Sequence, residues 1–311
     1  MVPGPRARRG GSIVALLGIW LFWAAPACPA DLDRLLTGDA VSKYTLDADA
    51  DAAYIASGRA HRKTEQFGRF DEVDSSVSVL STFQPSSNSL VGRLGLEWER
   101  YWFSANPNST LPRALESLNL VLGADFQLGS AILARVEAMP GFYGDLHRFS
   151  SRQFNVPIEC GASYVYSDKL FFIVGASINY ERNWPVFPAA GLLWHINDKL
   201  TFNGILPKPG LQYQLSDTLT LQLSGGLVGN TYRVNTDFGR SRGIPKLDNA
   251  LVEYEEVRIG GGLTWKIGKH LSVNVEAGAV PYRRFDYNRS DYKIISSNTA
   301  PYAELDLSTK F

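Results

Sequence analysis

Charged side chains in this chain recur at every second residue instead of gathering in clusters. Arg93, Glu97 and Glu99, then Arg135 and Glu137, Glu256 and Arg258, and Glu304, Asp306 and Lys310 keep an even spacing; Asp125, Glu159, Glu181 and Glu276 fall on the polar side of similar stretches. An extended chain sends residues i and i+2 to the same face, so each set looks one way. The acidic members outnumber the basic ones by ten to four. If that face lined a water-filled passage it would favour cations; the equal alternative is a satisfied ion-pair network that fills a narrow interior.

Other residues that could do chemistry are fewer. Asp47, Asp49 and Asp51 alternate with Ala48, Ala50 and Ala52, and three carboxylates on one face suit a hard cation held through oxygen. The commoner outcome of such a run is a solvated extension, so no metal and no cofactor are expected. His147 follows Asp145 by two residues, an arrangement that a hydrolase at the rim of the fold would need. Residues i and i+2 of a loop rarely face one another, however, and His195 and His270 lie by a different set of turns from His61 and His147. With no GxSxG motif present, an enzyme is not expected. Gly225-Gly226 and Gly260-Gly261-Gly262 lie inside extended stretches and read as places of close packing or bending rather than as a nucleotide loop. Cys160 shares the apolar face with Val156, Ile158 and Ala162.

The first thirty of the 311 residues have the form of a secretory leader: Arg6, Arg8 and Arg9, an apolar run from Ile13 to Ala25, then small residues before Asp31. Cleavage after Ala30 is expected, with Cys28 as a less favoured lipidation site. The 31 Lys and Arg less those three leave 28 against 31 Asp and Glu, a net charge of −3. Nothing in that balance points to nucleic acid. Cys160 is then the one remaining cysteine, so no internal disulfide holds the exported chain. No later apolar run approaches the roughly 20 residues of a spanning helix.

Beyond the leader, apolar and polar residues alternate in segment after segment, as in Leu118 to Phe126, Phe172 to Tyr180 and Leu271 to Ala277. Fourteen strands follow: 46–57, 75–84, 90–103, 116–127, 130–139, 153–166, 169–181, 186–196, 199–206, 210–215, 218–233, 251–267, 270–285 and 301–311. Loss of the weakest hairpin would leave twelve. The connections alternate between tight turns (85–89, 128–129, 167–168, 197–198, 216–217, 268–269) and a second class that is mostly long (58–74, 104–115, 140–152, 182–185, 207–209, 234–250, 286–300). This alternation predicts an up-and-down barrel with short periplasmic turns and longer outer loops. Aromatics near strand ends, among them Trp98, Trp102, Tyr164, Tyr166, Tyr180, Trp194, Tyr232, Trp265 and Tyr282, suit interfacial girdles.

The final stretch, Pro301 to Phe311, alternates strictly and ends on an aromatic residue. It resembles the C-terminal assembly signal of bacterial outer-membrane barrels, carried by Phe311, Leu307 and Leu305, with 46–57 as the strand that closes the seam. Between Pro188 and Val234, Trp194 before a tight turn, Pro207-Lys208-Pro209 followed by Tyr213, and a Gly-rich strand ending in Tyr232-Arg233 extend the likeness. Over most of 75–311 the chain resembles a family of uncharacterised, porin-like bacterial outer-membrane β-barrel proteins. That family has no established activity, so the resemblance implies an architecture and assigns no catalytic residue.

The expectation is an all-β protein: a leader (1–30), a periplasmic extension (31–45) and a closed antiparallel transmembrane barrel of twelve to fourteen strands (46–311). It is expected in the outer membrane of a Gram-negative-type cell, exported through the Sec pathway and inserted by the barrel-assembly machinery into outer-membrane lipid. The expected role is a passive or weakly selective channel for small hydrophilic solutes. The alternatives are a structural or surface-interaction protein with a plugged lumen and, more remotely, an outer-membrane hydrolase.

Overall fold

The computed structural model describes residues 44–62, 65–84, 90–105, 109–147, 149–296 and 298–311; the leader, most of the extension, Cys28 and the turn 85–89 lie outside the described residues. Fourteen antiparallel strands form one closed sheet. They are β1 (Tyr44–Arg62), β2 (Glu65–Phe83), β3 (Leu90–Phe103), β4 (Ala114–Leu128), β5 (Ile132–Ala138, continued by Gly141–Gly144), β6 (Phe154–Asn155, continued by Ile158–Ser167) and β7 (Leu170–Ile178). The second half holds β8 (Val186–His195), β9 (Leu200–Asn203), β10 (Gly210–Gln214), β11 (Leu219–Val228, continued by Thr231–Arg233), β12 (Leu251–Ile267), β13 (Leu271–Tyr287) and β14 (Tyr292–Ser296, continued by Ala300–Lys310).

Closure runs through the last strand. From Asp47↔Lys310 to Ile55↔Tyr302, β14 pairs with β1 in an unbroken antiparallel register, and β1 continues the sheet into β2. Leu46 and Phe311 complete the seam by exchanging N–H···O bonds of 3.1 and 2.9 Å. The sheet therefore has no free edge, which matters wherever hydrocarbon surrounds it, because an unpaired backbone group costs several kcal/mol there.

Alternation along the strands gives the barrel two different faces. Leu94, Leu96, Leu120, Leu122, Val136, Val174, Leu221, Leu223, Ile259, Val275, Leu305 and Leu307 all point outward, 40–61 % exposed. A soluble sandwich would bury such a set against a second sheet; here it forms a continuous apolar belt far larger than the patches that monomeric proteins leave in water. Among the described residues no helix is long and apolar enough to cross a membrane. Trp102, Tyr180 and Trp184 are exposed towards the outer ends of strands, and Tyr44, Tyr166, Trp194, Trp265 and Phe311 towards the inner ends. Tyr232, expected among the girdle residues, is instead wholly buried inside the barrel.

The largest departure from expectation is the stretch 58–74. It is not a loop: β1 and β2 run as 19-residue strands to within two residues of each other. Nineteen residues at about 3.3 Å each reach roughly 60 Å, beyond what a belt about 25 Å tall requires even at the usual tilt. The hairpin therefore stands clear of the belt, and its outward positions turn polar at Arg59, Arg69 and Asp71. An irregularity between Ile55 and Gly58 reverses the facing parity of β1; apolar alternation fails across it. Likewise Gly141–Gly144 and Tyr292–Ser296 extend the sheet into 140–152 and 286–300. Opposite this tall side, β9 and β10 have four and five residues, so the wall is low around the short connections 182–185 and 207–209.

Inside the wall, two glycines make room for an aromatic ring. Gly260 faces Gly278 across the β12–β13 ladder, and Tyr302 of β14 lies against both. A Cβ on Gly278 would run into the carbonyl oxygen of Ile259 and come within 2.8 Å of the Tyr302 ring. Gly278→Ala is expected to cost about 1–3 kcal/mol through backbone displacement, read as a lower urea midpoint for the folded barrel in lipid vesicles; an unchanged midpoint would contradict this packing.

Candidate functional site

The interior is layered from one end to the other, and the layers follow from which strands reach each height. At the outer end, Phe70 (β2), Tyr101 and Phe103 (β3), Tyr254 (β12) and Phe285 (β13) pack as one aromatic core, with ring centroids 4.8–6.1 Å apart and mostly edge to face. The connection 234–250 closes over it: Val234, Phe238, Leu247 and Ala250 belong to the same buried cluster. That lid is tied by Asp248, which accepts from the N–H groups of Gly239 and Arg240 and from Arg240 Nε at 2.6 Å. The backbone bond from Arg240 chiefly holds the Asp248 carboxyl below its ordinary range.

Beneath the aromatic core lies an ionic layer. Arg258 on β12 meets three carboxylates from three strands: Glu256 at 2.5 Å, Asp74 on β2 at 2.7 Å and Glu304 on β14 at 3.1 Å. Glu304 also takes Lys208 from the low connection 207–209 at 3.2 Å. Just above, Arg283 on β13 pairs with Glu72 on β2 at 3.0 Å, both side chains fully buried. Tyr254 donates to Glu72 at 2.6 Å and joins the two layers. On the β3–β5 side Arg93 pairs with Glu137 at 3.0 Å, and Arg135 donates to the two oxygens of Asp125 from Nε at 2.5 Å and Nη2 at 3.0 Å.

The structure thus places the fourteen expected charges as follows. Arg93, Asp125, Arg135 and Glu137 form one ion-pair group, and Glu256, Arg258 and Glu304 another. Glu97 accepts from Asn119 at 3.1 Å, while Glu99 accepts from Tyr232 at 2.7 Å and from Tyr101. Glu276 accepts from Tyr302 and, at 3.0 Å, from Gln222. Glu159 lines a small gap beside Glu97 and Arg182; Asp306 is flanked by Asp51 and Asn274 in the ladder; Lys310 lies 3.6 Å from Asp47. Glu181 differs from expectation: β7 ends at Ile178, and Glu181 pairs with Arg233 at the outer rim. Leu305 and Leu307 face outward, and the Phe311 ring stacks on His270 at 5.6 Å.

Four charged members of the network are not among the expected residues: Lys208 of the connection 207–209, Glu72, Asp74 and Arg283. Glu72 and Asp74 fall in the stretch taken for a loop. Arg283 owes its inward direction to an irregularity between Val257 and Ile259, where two residues of β13 oppose one of β12. A one-residue slip exchanges the faces of a strand. Pro281 lies in that slip and was the available signal, since proline inside a strand pattern marks a bulge.

Among the described residues no three His, Cys, Asp or Glu side chains converge as metal ligands do; Asp51 accepts from Ser76 and Asp47 faces Lys310. Asp145 does not orient His147 as a base. It accepts the His147 backbone N–H at 3.1 Å and the Asn235 amide at 2.6 Å. His195 bonds Thr201 at 3.0 Å and His270 the Lys310 carbonyl at 2.6 Å, both at inner turns. Below the ionic layer the interior opens towards those turns as a hydrophilic cavity of about 540 Å³ lined by Gln212, Gln214, Thr220 and Lys266.

Residues 129–310 match the family model described as Domain of unknown function (DUF6268). The chain belongs to that family. Within it, the DUF6268 match spans most of the barrel, from the β4–β5 turn to the end of β14. No curated protein matches the DUF6268 chain. Solved structures that it resembles include the COG4313 outer-membrane channel from Pseudomonas putida F1 (11 % identity, TM-score 0.46, covering 88 % of this chain and 98 % of that one). Others are a Pseudomonas aeruginosa FadL homologue (8 %, 0.43, 87 % and 90 %) and the Pseudomonas putida toluene transporter TodX (9 %, 0.37, 91 % and 91 %).

Proposed function

We propose that this DUF6268 protein is an outer-membrane β-barrel channel for small hydrophilic solutes that is closed in this conformation. The apolar belt with exposed aromatics at both margins supports residence in lipid, and the leader supports export through the Sec pathway and insertion by the barrel-assembly machinery. The observation that carries the closed state is the stack of two filled layers. Arg258 joins β12, β2 and β14 across the interior, and the aromatic core lies directly above it. The hydrophilic cavity at the inner turns is the feature that favours a route for polar solutes.

Planar-bilayer recording tests this. The wild-type protein is expected to show no steady conductance, whereas a protein with 236–249 replaced by a short linker and carrying Arg258→Ala should give frequent, cation-favouring steps. A large steady conductance from the wild type would overturn the closed state. Silence from the variant, in a barrel that still migrates faster unboiled than boiled, would favour the second reading: a plugged structural or surface-interaction protein. The filled outer layer is what supports that reading.

A further inference from the structure

Two connections close over the outer end of the barrel, and they are held in different ways. The lid 234–250 buries Val234, Phe238, Leu247 and Ala250 in the aromatic cluster, so moving it exposes apolar surface to water. The connection 179–185, between β7 and β8, has no such anchor. Among the described residues none of its members belongs to a buried apolar cluster, and Tyr180 and Trp184 are 80 and 61 % exposed. Polar bonds hold it instead. Arg182 donates to Ser177 on β7 at 2.6 Å, and Asn183 donates to Asn288 at the end of β13 at 2.6 Å and to Glu253 on β12 at 3.4 Å. Asn288 donates in return to the Glu181 carbonyl at 3.2 Å, and the Glu181 carboxylate pairs with Arg233. The segment is therefore a strap from the low rim to the tall wall, past the short strands β9 and β10. Each of its bonds can be exchanged for one with water at small net cost, which makes the strap the weaker of the two closures.

What lies beneath the strap gives its movement a consequence. Glu97, Asn119, Tyr143, Glu159 and Asn230 surround a gap of about 10 Å³, near the least that holds one water, and Arg182 is the strap residue that lines it. Glu159 stands opposite Ser177 in the β6–β7 ladder, so the bond to Ser177 draws the Arg182 guanidinium over this row. Most interior carboxylates are matched by an arginine, as Glu137 is by Arg93 and Asp125 by Arg135. Glu97 accepts only from the Asn119 amide, at 3.1 Å, and among the described residues Glu159 has neither a hydrogen bond nor an ion pair. We propose that the strap is the movable gate of the channel, that Arg182 both ties it down and repels cations, and that small cations pass beneath it by Glu97 and Glu159 while the lid and aromatic core stay in place. This rests on the reading of the protein as a channel for small hydrophilic solutes and names cations as the class.

The test records single channels from the full mature protein in planar bilayers under a potassium chloride gradient. The wild type is expected to open rarely. Asn183→Ala, at an exposed position, removes a tie and no charge; it should raise the fraction of time open by roughly fivefold, the size of one hydrogen bond, and leave the ion preference unchanged. Arg182→Ala removes a tie and a charge together, so it should raise the open fraction by a similar factor and also the preference for potassium over chloride. Adding Glu97→Gln and Glu159→Gln to Arg182→Ala should bring that preference close to one. A general loosening of the fold would not separate opening from ion preference in this way. No increase in opening from either strap variant, or a preference that the two glutamate changes leave unaltered, would overturn the gate; if Arg182→Ala fails to form a barrel that migrates faster unboiled than boiled, Asn183→Ala alone decides. The protein with 236–249 replaced and carrying Arg258→Ala is recorded alongside. Conductance from it with silent strap variants would count against this gate alone, whereas silence from all of them, in barrels that still show the faster migration, would count against the channel reading itself.

Discussion

Arg258→Ala is expected to lower the unfolding free energy of the barrel by about 3–5 kcal/mol, the usual cost of stranding a buried partner charge. The size follows from how many carboxylates depend on this one guanidinium. Asp74 and Glu256 have their charge-assisted bonds to Arg258, and Glu304 keeps only Lys208 once it is gone. All lie in a region with almost no access to water: the side chains of Asp74, Glu256 and Glu304 are 6, 0 and 8 % exposed. The loss cannot be made good by repacking, because the strands that carry them are fixed by the ladder. Urea unfolding from lipid vesicles measures it. A compensating set, Arg258→Met with Asp74→Asn and Glu304→Gln, should recover part of the loss by removing the unpaired charges along with their partner. A single variant as stable as the wild type would mean that these carboxylates are solvated, and an open lumen would then replace the filled one.

The same residues show why the architecture was easier to read than the site. The number and order of strands depend on period-two alternation over stretches such as Leu118 to Phe126, where every second residue meets the outside; that signal is local and strong. The interior network depends on contacts far apart in sequence and on two interruptions of the alternation. Tyr254 and Glu72 are 182 residues apart, and Arg283 and Glu72 are 211 apart. Neither pairing exists until the barrel closes. The slip at Pro281 turns Arg283 inward, and the irregularity between Ile55 and Gly58 does the same for Gly58. The irregularity in β1 breaks the alternation where the chain leaves the apolar belt, so 46–57 is expected to end there, whereas 270–285 is expected to run through Pro281 and only the facing of its last residues is lost. A hydrophobic pattern records the solvent on the outer face; above the belt that solvent is water, and a β-strand with a wet outer face over an inner face that mixes Phe70 with Glu72 and Asp74 leaves no such record. The inward charges were identifiable as a face, but whether they met water or one another was decided by side chains from Phe70, Tyr101 and Tyr254 that lie in or beside the unrecorded part.

Deletion of Phe311 is expected to reduce the amount of protein in the outer membrane several-fold while leaving the stability of barrels that do form within about 1–3 kcal/mol of wild type, the worth of two backbone hydrogen bonds. The separation of these effects comes from the position of the residue. In the finished barrel Phe311 contributes the paired bonds with Leu46 and a ring stacked on His270, and it is 67 % exposed. These are modest contributions beside the nine-residue register from Asp47↔Lys310 to Ile55↔Tyr302. We propose that before the seam closes against β1, when β14 pairs with β13 alone, the outward row of Phe311, Leu307 and Leu305 is the feature available for capture. Cell fractionation measures the first effect and refolding of the purified chain into vesicles the second. Phe311→Trp, which keeps an aromatic end, should restore membrane levels more fully than Phe311→Ser. If deletion left membrane levels unchanged, or lowered them only in proportion to a matching loss of refolded stability, the final residue would be acting as part of the seam and not as the signal that brings it together.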